Sequence, residues 1–141
     1  MRRILTLLFV FFITLSTFAQ GITGQWETFD DETNEKKALI EIYAANDKYF
    51  AKIVESYVKG SSGKCEKCQG AKKNKPIQGL VIIENLEKDD DEYTGGIILD
   101  PENGKTYKCY VELLEKNKLK VRGYLGFSLL GRTQYWRRKI D

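Results

Sequence analysis

What most constrains this chain is a recurring two-residue alternation of apolar and polar side chains, confined to short runs that end in turn chemistry. In Leu119-Lys120-Val121-Arg122-Gly123-Tyr124-Leu125, the residues Leu119, Val121 and Leu125 share one face while Lys118, Lys120 and Arg122 share the other. The run 107–113 repeats the pattern, with Tyr107, Cys109, Val111 and Leu113 on the apolar side. Successive side chains of a strand point to opposite faces, so each such run predicts a strand with one buried and one wet face. Similar runs at 24–30, 37–44, 48–58, 79–86, 92–99 and 131–138 bring the expected total to eight strands. No segment sustains a helical period over three turns, and no internal repeat is visible.

The connections predict hairpins. Asp100-Pro101-Glu102-Asn103-Gly104 has proline early and Asn-Gly late, which suits a type I turn closing through a left-handed residue. Ala45-Asn46-Asp47 and Glu115-Lys116-Asn117 are short polar turns, and Asp89-Asp90-Asp91 reads as a solvated tip lacking the glycine and spaced ligands of a calcium loop. Eight short antiparallel strands must each bury a face and protect their edges. Closing the sheet achieves both, so the expected fold is all-β: an eight-stranded antiparallel up-and-down barrel, with a two-sheet sandwich as the alternative. Its expected interior carries Ile40, Ile42, Tyr107, Val111, Leu113, Leu119, Val121 and Leu125, while Gly95, Gly96 and Gly123 leave space.

The N-terminus reads as an export signal. Met1-Arg2-Arg3 precedes a 12-residue apolar run, 4–15, too short for a bilayer core that needs about 20 residues. Thr17 and Ala19 fit a cleavage site, which divides the chain into a signal at 1–19 and one barrel domain at 20–141. The expected product is periplasmic or secreted, monomeric and without stable membrane insertion. Of 23 Lys and Arg, Arg2 and Arg3 leave with the signal, so 21 face 20 Asp and Glu, a charge of +1. That balance argues against a nucleic-acid binder. The chain has no histidine, which excludes Ser-His-Asp and Cys-His catalysis and His-ligated metals. No phosphate-cradling loop or carboxylate pair can be derived, so neither an enzyme nor a cofactor or metal site is expected.

Four phrases occurring in order resemble one exported bacterial family, domain of unknown function 2147. They are Gly24-Gln25-Trp26, Pro76-Ile77-Gln78-Gly79-Leu80, the run from Ile98-Leu99-Asp100-Pro101 to Lys105-Thr106-Tyr107, and the run from Leu119 to Trp136 that includes Gly131-Arg132-Thr133. The resemblance spans nearly all of the chain after the signal and implies a lipocalin-like barrel, with no established activity. Where many relatives carry an Asp/Asn/Pro-rich insertion, this chain has a Cys-x-x-Cys loop. The Gly-x-Trp opening is also similar to the lipocalin pattern, in which a first-strand Trp packs beneath a basic side chain at the closed end. That resemblance implies such a role for Trp26, with Arg132 or Arg138 as the partner; read from the residues alone, Trp26 and Trp136 are core aromatics.

Residues 59–76, between the third and fourth strands, form a connection longer than most, without hydrophobic period, and are the expected functional loop. Cys65 and Cys68 permit three readings: a local disulfide with Cys109 free on an apolar strand face, a bridge from one of them to Cys109, or thiol–disulfide exchange. The loop lysines Lys59, Lys64, Lys67, Lys72, Lys73 and Lys75 oppose only Glu66. They are either a solvated surface or a field that steers an anionic ligand towards a barrel mouth. The expected function is binding of a small apolar or amphipathic molecule, which predicts a cavity of a few hundred cubic ångströms. The rival is a closed structural module of the cell envelope that binds a protein partner, which predicts a filled interior and an exposed apolar patch.

Overall fold

The computed structural model describes residues 21–126 and 130–140. The expected export signal lies outside the described residues.

Eight strands form one closed antiparallel barrel in which every strand pairs with its neighbours in the sequence and the last pairs with the first. They are β1 (Gly24–Phe29), β2 (Lys36–Ala45), β3 (Lys48–Ser56), β4 (Val81–Asp89), β5 (Glu92–Asp100), β6 (Lys105–Glu115), β7 (Lys118–Tyr124) and β8 (Gly131–Arg138). The sandwich alternative is therefore excluded. No helix among the described residues is long and apolar enough to cross a membrane.

Turn chemistry sets the hairpins. Asn46 and Asp47 both take positive φ (51° and 62°), the left-handed pair that a two-residue connection needs to follow the strand twist. At the β5–β6 turn the Gly104 amide donates to the Asp100 carbonyl at 2.8 Å, with Gly104 at φ 72°.

β4 runs later than its pattern suggests. Gly79 (φ 87°) belongs to the preceding loop, and Asn85 (φ 65°) lies between Ile83, which faces Ala51, and Leu86, which faces Tyr49. The register shift there changes the phase of the alternation, so both Ile83 and Leu86 are buried.

Strand direction gives the barrel two different ends. The β2–β3, β4–β5 and β6–β7 hairpins gather at one end with the start of β1 and the finish of β8. The β1–β2, β3–β4, β5–β6 and β7–β8 connections gather at the other.

The first end is plugged. Trp26 is fully buried, its indole N–H donates to the Ile22 carbonyl at 2.8 Å, and the Arg138 guanidinium lies 4.3 Å from its ring centroid. Arg138 also donates to the carbonyls of Gly21, Thr23 and Lys116 at 2.8–2.9 Å, which draws the segment before β1 and the β6–β7 turn over the barrel floor. Burial lowers its pKa, yet guanidinium starts high enough to remain charged. Arg132 is not the partner of Trp26: it stands at the opposite end of β8 and pairs with Asp31.

Candidate functional site

Above the plug the barrel opens into a cavity of about 830 Å³. Its wall takes apolar side chains from most strands, including Ile40 of β2, Ile53 of β3, Ile82 of β4, Ile98 and Leu99 of β5, Val121 of β7 and Trp136 of β8. Thr28 and Gln134 add polar groups to this wall, and the Trp136 indole N–H donates to Gln134 Oε1 at 3.3 Å. A mostly apolar concavity with a few fixed polar groups is the usual character of a small-molecule site.

The eight side chains expected inside separate by height. Ile40, Tyr107 and Val121 border the cavity. Ile42, Val111 and Leu119 are buried in the core without bordering the cavity, and Leu113 packs against that core from a partly buried position. Leu125 departs from the expectation. Strand β7 ends at Tyr124, so Leu125 stands at the rim, 57% exposed, where it borders the cavity mouth instead of the interior. Of the three glycines expected to leave space, only Gly123 lines the cavity. At Gly96 the space is already taken, since a Cβ there would lie 2.6 Å from Leu86 Cδ2, and at Gly95 (φ 75°) the strand shifts register.

The β3–β4 connection folds over one side of the mouth. Cys65 and Cys68 form a disulfide, and both are buried. The ring is held by backbone bonds from Cys65 N–H to the Lys75 carbonyl and from Asn74 N–H to the Cys65 carbonyl, each 2.8 Å. It sits on the β5–β6 turn: Cys65 Sγ is 3.8 Å from the Pro101 carbonyl oxygen, and a Cβ on Gly104 would fall 1.8 Å from the Lys67 carbonyl oxygen. A sulfur pair enclosed in this way stiffens the loop, and the helical turn that follows it, Gly70–Lys72, is a three-residue 3-10 turn too short to carry the dipole that activates a thiol.

Cys109 is the free cysteine, buried in the core beside Gly96, so the alternative bridge to it does not form. Loss of hydration raises its thiol pKa from 9.0 to about 12. Between those values the unfolded chain releases a proton that the folded one keeps, so this group's stabilising effect is complete below pH 9 and declines as pH rises towards 12. Titration with a thiol reagent is expected to find no reactive group in the native protein at neutral pH. One should appear on denaturation, and three after denaturation with reduction.

The lysines of the loop do not act as a group. Lys64 and Lys67 border the cavity. Lys72 donates to the Val81 carbonyl at 2.9 Å and pairs with Glu84, while Lys73 and Lys75 are exposed and do not border the cavity. Sequence reasoning missed Lys37, which also borders the cavity and joins the start of β2 to the β5–β6 turn through a 2.7 Å ion pair with Glu102. Its position after a register-shifting segment gave no periodic signal.

A barrel blocked at one end by Trp and Arg and hollow at the other is a lipocalin-like architecture. The family model of an uncharacterized protein conserved in bacteria, domain of unknown function 2147, matches residues 24–138, and the chain belongs to that family. Among solved structures it is similar to protein HP1028 from the human pathogen Helicobacter pylori, described as belonging to the lipocalin family. The TM-score is 0.74 at 21% identity, over 86% of this chain and 84% of that one. No curated protein matches the sequence.

Proposed function

We propose that this protein binds a small apolar or amphipathic molecule non-covalently in the hollow half of the barrel, and that it does so outside the cytoplasm. The observation carrying this reading is the cavity of about 830 Å³ above a packed floor. A closed structural module would fill both halves with side chains, as barrels of this size are able to do. Export is supported by the leader-like N-terminus and by a disulfide of the kind that persists in oxidising compartments.

The wall also suggests the form of the ligand. An apolar portion would lie against Ile40, Ile53, Val121 and Trp136, with its polar end towards Lys64, Lys67 and Arg132 at the mouth. Arg132 is engaged by Asp31 and Lys37 by Glu102, so an anionic end is favoured by the two loop lysines more than by these pairs.

Native mass spectrometry of protein isolated from its own source is the direct test, with a co-purified lipid-sized adduct as the expected result. Val121→Trp should project an indole into the cavity and weaken retention of the adduct while keeping the β-sheet circular dichroism signal, at an overpacking cost of about 1–3 kcal/mol. An adduct retained undiminished in the Val121→Trp protein would place binding elsewhere, and a bare wild-type protein that also fails to take up fatty acids or phospholipids would refute the reading.

A further inference from the structure

We propose that the open end of the barrel docks on an anionic lipid surface, mouth towards the membrane. The inference goes beyond cavity binding, and its test reads surface attachment and not loading.

Three large apolar side chains stand exposed on the rim: Val58 (43%) where β3 ends, and Leu125 (57%) and Leu130 (65%) on the β7–β8 side. All three border the same cavity, so they surround its opening from two sides. Water-facing apolar groups around a mouth are unfavourable unless something covers them.

The charge around them indicates the cover. Lys59, Lys64 and Lys67 lie on the adjoining loop, all exposed, and none forms a salt bridge among the described residues. Glu66 is the one carboxylate within that loop.

The lysine loop is the part of the mouth that a negative surface would attract. The plugged end mixes signs, with the exposed acidic tip Asp89-Asp90-Asp91-Glu92 at the same end as exposed Lys116, Lys118, Arg137 and Lys139, so the orientation rests on the apolar rim and the lysines of the adjoining loop. Apolar rim residues flanked by lysines then match the headgroup boundary, where alkyl side chains enter and ammonium groups meet phosphates. The far side of the mouth opposes this, because the β1–β2 loop carries Asp31, Glu32 and Glu35 in exposed positions. Contact is therefore tilted, with the β3–β4 loop closest to the surface.

The experiment is co-sedimentation of the full mature protein with vesicles of phosphatidylcholine, and with vesicles of phosphatidylcholine mixed with phosphatidylglycerol. Attachment should be at least about ten-fold stronger to the mixed vesicles and should fall steeply with added salt. Lys64→Glu with Lys67→Glu should weaken it by at least about 25-fold, given roughly five-fold for each lysine near an anionic surface. Leu125→Ser with Leu130→Ser should weaken it with circular dichroism unchanged, whereas Glu32→Lys with Glu35→Lys should strengthen it.

Equal attachment to both vesicle types, no attachment, or indifference to the lysine reversals would overturn the proposal. So would a concentration-dependent dimer that disappears with Leu125→Ser and Leu130→Ser, since the rim would then be covered by a second copy of the chain. Loading is scored separately by mass spectrometry: an adduct without vesicle attachment defeats the docking proposal alone, and attachment by a protein that neither carries an adduct nor takes up fatty acids or phospholipids defeats the cavity reading alone.

Discussion

Trp26→Ala is expected to destabilise the protein by about 3–5 kcal/mol, the range for removing a large aromatic side chain from a close-packed core. Three effects combine at this position. The fully buried indole leaves a void at the centre of the plug, and the Ile22 carbonyl loses its 2.8 Å donor. The Arg138 guanidinium loses the ring face over which it is centred at 4.3 Å. Against a total stability that for a domain of this kind is about 5–15 kcal/mol, this brings the barrel close to its unfolding threshold. Urea denaturation followed by far-ultraviolet circular dichroism measures the loss. A change below about 1 kcal/mol would show that Trp26 is not the keystone of the closed end. Arg138→Lys separates the contributions, since an ammonium keeps the charge but cannot donate to the carbonyls of Gly21, Thr23 and Lys116 together from one planar group.

The second large effect is expected at Gly104→Ala, well away from the plug. Gly104 has φ 72°, and its missing Cβ leaves the space in which the Lys67 carbonyl oxygen rests, 1.8 Å from where the new carbon would lie. That oxygen is backbone, so no side-chain rotation relieves the overlap and the disulfide loop must lift from the β5–β6 turn. Strain from the left-handed conformation adds about 1–2 kcal/mol for a residue bearing Cβ.

The expected outcome is a destabilisation above about 2 kcal/mol together with a Cys65–Cys68 bond that reduces at least ten-fold faster, because its sulfurs are no longer enclosed. Gly63→Ala is the control: Gly63 also has positive φ (79°), but nothing lies within 4 Å of the point where its new methyl carbon would stand. Similar reduction rates for the two variants would show that conformational strain, and not the docking of the loop, protects the disulfide.

The barrel itself was legible in the sequence because its signal is local. Leu119 and Val121 alternate with Lys120 and Arg122 regardless of what lies across the interior, and Asn46-Asp47 and Asn103-Gly104 mark turns by their own backbone preferences. The local cysteine pairing was one of three readings, and packing distinguished it by placing Cys109 in the core on β6, beside Gly96.

The candidate site was less legible. Leu125 continues the phase of Val121, yet the strand stops one residue before it, and the side chain becomes part of the rim. Arg132 and Arg138 both stand on β8 with an even spacing between them, so alternation could not choose between them as the partner of Trp26. Six residues along a strand span about 20 Å, and this separation in height put one arginine at the mouth and the other at the plug.

The sequence by itself therefore determined which face side chains take within each uninterrupted run, since the pleat imposes that choice one residue at a time. Tertiary structure decided how high each stands and where the alternation changes phase, because both depend on register shifts such as those at Asn85 and Gly95 and on where neighbouring strands end. Ile42 and Ile40 are both inward and two residues apart, yet one is buried in the core without bordering the cavity and the other belongs to the cavity wall. Whether a barrel is full or hollow depends on the summed volumes of side chains that meet from all eight strands at one level, a quantity that no single stretch of sequence contains.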